Sequence, residues 1–576
     1  MVSLFNALNI TSNALHVNES AISVVSHNVA NMNTEGYSKQ KVNLATRNIA
    51  GAIGNNTEAQ IRANGGVKIA SVTRYSDSYL NNYYRDQLSL LKQYEEELGN
   101  IGDLANIFED LEGKGISDAL ASFYDAVNNL NEYPASSTAR VNFIESAKTL
   151  TATLNAKSSQ LDELGSKALG DGESIEALQN SKIYNQYEVF NDKLEELAEI
   201  NRALTITQTG SLEANNLLDK RDMVLNEIAE FVDINIDEKP NGSVDLYVGG
   251  VEMVSGSVVK GELRLYTAEQ YVNTYDDVYV NYPDDWVVRD ENGVPITDEN
   301  GDTIPRENAV LSIVNPKDDT DILVQDANPL ITSGSLGGML HSGDLDADGI
   351  NVGIAKDTLD NIAQALVDIF NGINTRKGAY CIDPNETGKL KATTEDNFIF
   401  GEAKAIINPD DNTIIGYELK DKVTAGNIAV NSNLLTDNGH WSLACAYFDN
   451  PNDLDVPPNF DVNAIGNSQN VVSMLKARTH KFDGKDGMQN LNGMTIEDCY
   501  TGLLGKIGAG GSNGQALVDT QSSVVDSVYN QIKSRNSVDL NEELVDLVKY
   551  QTAYSAAAQV FNTCNTCLDT LIALGG

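Results

Sequence analysis

Apolar residues near the C-terminus recur at alternating spacings of three and four: Leu547, Tyr550, Tyr554, Ala557, Phe561, Cys564, Leu568 and Leu571. That rhythm places all of them on one side of a helix, as a heptad seam. At the other end Leu4, Leu8, Leu15, Ile22, Val25 and Val29 keep the same rhythm, interrupted by Thr11 and Asn18. A second stripe, Ala7, Ala14, Val17, Ala21 and Val24, lies beside it. The head therefore predicts a helix whose apolar face is wider than one partner helix covers. Two such helices either close one globular core or pack among many protein neighbours, and the stripes alone weigh these equally.

Between them the period changes twice. Residues 76–235 read mainly helical, with long polar-faced stretches such as Tyr84 to Leu98 and Ile175 to Leu204. From Val232 apolar and polar residues alternate, bounded by turns such as Pro240-Asn241-Gly242, which predicts strands. Asp290-Glu291-Asn292-Gly293 and Asp298-Glu299-Asn300-Gly301 read as hairpin tips. A helix is expected from about Asn351 to Asn374, then a second β-rich segment from Ala379 to about Asp461. Helical pattern resumes near Ser468 and, after a glycine-rich loop, runs from Gln515 to the end.

The expected fold class is α+β and multidomain, with paired terminal helices as a coiled-coil stalk, an adjoining long-helix bundle and inserted outer β-rich domains. The expected boundaries are 1–40 with 536–576 for the stalk, 41–233 with 468–535 for the bundle, 234–350 for an outer β domain, 351–378 for a connecting helix and 379–467 for a second β module.

Charge sharpens this picture. The chain has 83 acidic and 40 basic residues, net −43, so a nucleic-acid backbone repels it. Yet Glu19, Glu35 and Asp569 are the only charged side chains in the first 38 and last 27 residues. The head has no Lys or Arg before Lys39, so it lacks the basic rim that draws amphipathic helices to lipid. It also lacks the basic n-region of a cleaved secretory signal, and no run of about 18 apolar residues suggests a membrane span. The five cysteines (Cys381, Cys445, Cys499, Cys564, Cys567) are odd in number and scattered, unlike a disulfide framework. Cys564 and Cys567 form a C-x-x-C without a second ligand pair nearby, and read as core packing.

Candidate chemistry is thin, and neither a catalytic, a cofactor nor a metal set is expected. Asp344, Asp346, Asp348 and Gly349 match the opening of a calcium loop, but its twelfth position is Ala355, which cannot supply the bidentate carboxylate. Calcium binding is expected to be absent or no tighter than about millimolar. Gly510-Gly511-Ser512-Asn513-Gly514 fits G-x-S-x-G without the buried strand a nucleophile elbow needs. The five histidines include no H-E-x-x-H. The glycines of GSLGGML (Gly334 to Leu340) lack the Lys-Ser/Thr of a phosphate loop and read as a tight passage between domains.

The segment Ser26 to Gln40, SHNVANMNTEGYSKQ, resembles the signature shared by bacterial flagellar rod, hook and hook-associated proteins. Its assembly residues here are Asn28, Asn31, Thr34, Gly36, Tyr37 and Gln40; Glu35 stands where the family has Pro, and Lys39 where it has Arg. The physical reading is a helix end and a turn, with Gly36 at positive φ. The tail from Asn536 through Glu543 to Leu574 is similar to the same family's C-terminal motif, and Asn215 to Asp222 (NNLLDKRD) to its hook–filament junction members.

The resemblance implies a structural, non-enzymatic subunit joining hook to filament, with a hook or distal rod subunit as the alternative and a secreted hydrolase or adhesin as a more distant one. It also implies an extracellular place in the flagellum, self-assembly, and contacts with hook protein and with a second junction protein on the filament side. Export would run through the flagellar type III apparatus without signal cleavage, with a dedicated chaperone on the tail helix, and neither nucleic acid nor membrane insertion is involved.

Overall fold

Long helices carry the molecule, and most begin at a side-chain cap that the sequence supplies. In the computed structural model, which describes residues 2–48, 64–109, 115–170, 178–267, 309–317, 321–323, 330–341, 349–383, 389–394, 396–407, 414–448, 465–483 and 491–575, α1 spans Val2–Asn31 and is followed by strands β1 (Gln40–Asn48) and β2 (Asn64–Arg74). Helices α2 (Ser78–Phe108), α3 (Ile116–Glu132), α4 (Ser137–Leu169), α5 (Lys182–Ile206) and α6 (Leu212–Phe231) come next. Asp77, Ser136, Ser181 and Ser211 each accept a backbone N–H in the first turn of α2, α4, α5 and α6, each contributing about 1 kcal/mol.

The chain then builds β3 (Asn235–Glu238), β4 (Val244–Val248), β5 (Val251–Ser255) and β6 (Val258–Val259), an antiparallel meander in chain order. A second sheet follows from β7 (Glu262–Thr267), β8 (Ala309–Val314) and β9 (Asp321–Leu323). After the short α7 (Gly334–Leu340) comes α8 (Val352–Thr375), capped by Asn351. Strands β10 (Ala379–Ile382), β11 (Leu390–Ala392) and β14 (Ala446–Tyr447) form one small sheet; β12 (Ala403–Ile407) and β13 (Ile414–Leu419) form a hairpin. The chain ends in α9 (Gln469–Ala477), α10 (Ile496–Asn536) and α11 (Leu540–Gly575). Thr495 and Asp498 close a capping box at the start of α10.

Two apolar cores organise these elements. The first joins the end of α2 to α3, α4, α8, α9 and the start of α10, around Phe123, Phe143, Phe370 and Phe400. The second packs α5 and α6 against β3–β8 and α7. A smaller cluster, Ala21, Val24, Val42 and Val72 with Tyr550 against it, ties α1 to the β1–β2 hairpin and to α11.

The structure departs from the sequence reading at named places. The β1–β2 hairpin was not anticipated: Val42 pairs with Val72 facing α1, while Asn43 opposite Ser71 faces out. It supplies the second partner that the wide face of α1 requires, and Val17, Ala21, Val24 and Val25 are buried. Helix α8, expected as a connector, sits inside the first core, because Ala355, Leu359, Ile362, Ala363, Leu366 and Phe370 bury it on several sides.

Gly510 to Gly514, expected as a loop, is helical within α10. Packing on α2 and Ile350 overrides propensity there, since a Cβ at Gly510 would fall 2.7 Å from Ile350 and one at Gly514 3.2 Å from Leu98. Among the described residues of 379–461 the strands are short, and two 3-10 turns, Ser432–Leu435 and Gly439–Ser442, lie between β13 and β14. GSLGGML forms a helix, and it is a tight passage: at Gly334, with φ +80, a Cβ would fall 2.2 Å from the Phe231 carbonyl oxygen. The hairpin tips at 290–301 and Asp344, Asp346 and Asp348 lie outside the described residues.

Candidate functional site

Helices α1 and α11 run antiparallel, with Asn28 against Glu543 and Ala21 near Tyr550. The site is built where α1 ends and α11 begins. Thr34 N–H donates to the Asn31 carbonyl at 2.9 Å and Tyr37 N–H to the Thr34 carbonyl at 3.3 Å, which turns the chain back. Gly36 takes φ +74 in this turn, and a Cβ there would meet the Met223 Sδ at 2.5 Å. Positive φ and that close approach both demand glycine.

Asn28, only 1% exposed, is the centre. Its Nδ2 donates to the Gln40 carbonyl (2.8 Å) and to Glu543 Oε2 (2.9 Å). Its Oδ1 accepts from the Gln40 N–H (3.0 Å) and the Tyr37 hydroxyl (2.7 Å). The Tyr37 hydrogen is thereby spent, so His27 Nδ1, 3.0 Å from the same oxygen, is the protonated ring nitrogen that donates to it. One amide thus locks the end of α1 to the turn, to the start of β1 and to the first turn of α11. Burial pushes the Tyr37 phenol far above its usual range, with the Asp219 and Glu543 carboxylates adding to it.

Lys39 lies between Glu542 (2.5 Å) and Glu543 (3.2 Å). Burial acts to lower its pKa, but hydrogen bonds to the two carboxylates hold it above the ordinary lysine value. A compact ammonium between two acids suits this geometry, which does not use the planar fork of Arg. Asp539 caps the start of α11 by accepting the Asn541 N–H at 2.8 Å.

A second layer ties this joint to α6. The Gln40 side chain accepts from Asn215 (2.9 Å) and donates to Asn216 (3.1 Å), while Asn215 also donates to the Val72 carbonyl (3.0 Å). The Ser38 N–H donates to Asp219 (3.3 Å), and Arg74 pairs with Asp219 (2.8 Å) and with Asp222. Asp222 also meets Arg85 (3.3 Å) and Arg221 (2.8 Å). Burial acts to raise the Asp222 carboxyl, but Arg74, Arg221 and Arg85 overcome it and hold the group well below the usual carboxylate range. Asp219 goes the other way, raised by burial to about 6 despite Arg74. Beside these groups lies a cavity of about 320 Å³ between the 32–38 turn, α2, α6 and α10, with Tyr84, Met223 and Tyr529 in its wall.

Of the residues singled out in the sequence, Asn28, Tyr37 and Gln40 converge. Asn31 and Thr34 act within the turn: Asn31 donates to the His27 carbonyl and Thr34 to Asn31 Oδ1. On the tail seam Leu547, Tyr550, Ala557, Phe561, Cys564 and Leu568 are half-buried, whereas Tyr554 and Leu571 are exposed. Sequence reasoning missed Glu543, Arg74, Arg85 and Asp219 as members of the site. The signal available was Asn215, Asp219 and Asp222 at spacings of four and three, a polar stripe on one face of α6. Among the described residues no group of His, Cys, Asp and Glu could hold a metal ion, and no helix is long and apolar enough to cross a membrane. The arrangement is suited to holding two chain ends at a fixed angle on a rigid body.

A family model described as the flagellar hook-associated protein FlgK helical domain matches residues 101–378. A flagella basal body rod protein model matches 8–37, and a flagellar basal body rod FlgEFG protein C-terminal model matches 535–574. These last two are the stretches that meet at Asn28 and Glu543. Over nearly its whole length the chain is similar to flagellar hook-associated proteins. It is 23% identical to flagellar hook-associated protein 1 of Bacillus subtilis, over 99% of this chain and 98% of that one. It is 24% identical to the protein of the same name from Salmonella typhimurium, over 98% and 99% respectively. The solved structure of the flagellar hook junction protein FlgK from Burkholderia pseudomallei aligns with 80% of this chain and all of its own, at 12% identity and TM-score 0.49.

Proposed function

We propose that the chain is a structural subunit of the bacterial flagellum that joins the hook to the filament by packing against copies of itself and against neighbouring axial subunits. One observation carries this reading. The Asn28 joint holds α1 and α11 side by side, yet α11 keeps the apolar residues Val545, Val548, Val560 and Ile572 exposed in the single chain, with Val548 at 62% and Ile572 at 65%. A solvated helix does not normally present several large apolar side chains without a partner, and repeating head-to-tail contacts between like subunits would cover them.

In this mechanism the terminal helices form the inner, axial part, and the Asn28–Tyr37–Gln40 joint fixes their angle to the two cored bodies, which face outward. Asn31, Thr34 and Gly36 set the turn. The tail seam from Leu547 to Leu571 is the axial contact helix and, before assembly, the surface that an export chaperone would hold. Passage through a type III apparatus fits a chain whose five cysteines are free. The reading as a junction subunit, rather than a hook or distal rod subunit, is favoured by the helical-domain match over 101–378. No catalytic role is assigned. Gold-conjugated antibody to the outer bodies, applied to isolated flagella, tests the placement: label confined to the boundary between hook and filament supports it, and label along the hook or on the rod rejects it.

A further inference from the structure

The two cores belong to separate bodies, and three helices run from the first toward the second: α4, which reaches it at Leu169, α2, which packs on α6 and α7, and α10, which packs along α2. Each of these helices carries glycine at the same level: Gly99 and Gly102 in α2, Gly165 in α4, and Gly508, Gly510, Gly511 and Gly514 in α10. Shared neighbours align them. Ile350 and Ile101 both lie against Gly510, and Val352 lies against Gly165.

Close packing explains Gly510 and Gly514 only. Around Gly99, Gly102 and Gly508 an added Cβ would meet nothing within 4 Å, so at those positions alanine would fit and would favour the helix in α2 and α10. Support from the cores also runs out here. Helix α10 has no buried residue between Ile507 and Val525, and α4 changes from the first core at Leu164 to the second at Leu169. Asn100, between the two α2 glycines, holds a buried side-chain nitrogen without a hydrogen-bond partner.

We propose that this glycine level is a hinge across the whole molecule, at which the two bodies tilt relative to one another. Glycine widens the accessible backbone range of each helix at the height where α10 has no buried residue of its own. Because the three helices are weakened together, the bend stays at one plane and the cores on either side remain intact. The proposal concerns the single chain and stands apart from where in the flagellum the subunit sits.

Pulsed electron spin resonance on the full chain tests it. With Cys564→Ser and Cys567→Ser as background, spin labels on Ile206→Cys and Leu435→Cys report across the level. Labels on Val189→Cys and Ile206→Cys, about 25 Å apart along one helix, give the rigid reference. The cross-body distance distribution should be at least about twice as wide as the reference, and Gly99→Ala, Gly102→Ala and Gly508→Ala together should narrow it toward the reference. A cross-body distribution as narrow as the reference, or a wide one that the triple variant leaves unchanged, overturns the hinge. Hydrogen exchange on the unmodified chain needs no variant: amides at 98–103 and 507–513 should exchange at least about tenfold faster than those at 86–92 and 520–527. Equal protection along both helices also overturns it.

Discussion

Replacing Asn28 with Ala is the sharpest probe of the joint between the chain ends. The variant removes four hydrogen bonds, to the Gln40 carbonyl, the Gln40 N–H, the Tyr37 hydroxyl and Glu543. Three are between neutral groups, at about 0.5 to 1.5 kcal/mol net each, and the one to a carboxylate contributes about 1.5 to 3. The simple total is about 3 to 7.5 kcal/mol, and water entering through the exposed turn recovers part of it, leaving about 3 to 5. Lys39 still neutralises Glu543 at 3.2 Å, so no buried charge is abandoned. The loss falls on the small unit formed by α1, the hairpin and the start of α11, because neither core contains these residues. Hydrogen exchange at the Gln40 amide should therefore accelerate about 100-fold or more, while thermal melting of the two cores stays within about 2 °C of the parent. Less than about fivefold acceleration would refute the claim that Asn28 is the tie between head, turn and tail. Asn28→Asp makes the sign explicit, since it sets a second carboxylate against Glu543 and should weaken the unit at pH 7 and recover below about pH 4.

Asp219 gives a pH signature of unusual direction. Its carboxyl is raised to about 6 in the folded chain, so the folded state binds more protons than the unfolded one between about pH 4 and 6, and stability falls as pH rises through that window. Asp219→Asn should remove about one proton from that slope and be at least as stable as the parent at pH 7 by urea unfolding; parallel pH profiles would contradict this. Gly36→Val forces a β-branched residue to φ +74 against Met223, costing roughly 1 to 3 kcal/mol, and should impair incorporation into the flagellum more than secretion, which swarm diameter and blots of culture medium measure together. Deleting residues from Leu540 onward should leave the melting of both cores within about 2 °C of the parent while abolishing incorporation and chaperone binding; a deletion that unfolds the cores would place α11 in them instead.

The ends of the chain were the most legible part of it. Leu547 to Leu571 and Leu4 to Val29 announced their helices because a three-four spacing over many turns has few other solutions, and Asn28, Tyr37 and Gln40 stood in a recognisable motif. What the motif could not show was its closing partner, since Glu543 lies 515 residues away along the chain and pairing over that distance leaves no periodic trace. The β1–β2 hairpin was missed because its buried positions are few, Val42 and Val72 among polar neighbours. Gly510 to Gly514 misled for the opposite reason. Glycine is a strong local signal for a loop, and only contact with Leu98, Ile101 and Ile350 shows that the helix continues through it. The charged cluster of Arg74, Arg85, Asp219 and Asp222 draws on three elements, so only α6's polar stripe was visible in advance.

Electron microscopy of cells lacking this protein tests the central claim most directly. A structural link between hook and filament predicts complete hooks that bear no filament, with filament protein released into the medium and restored to the cell by the intact chain. Filaments of normal length on the deletion cells would contradict it.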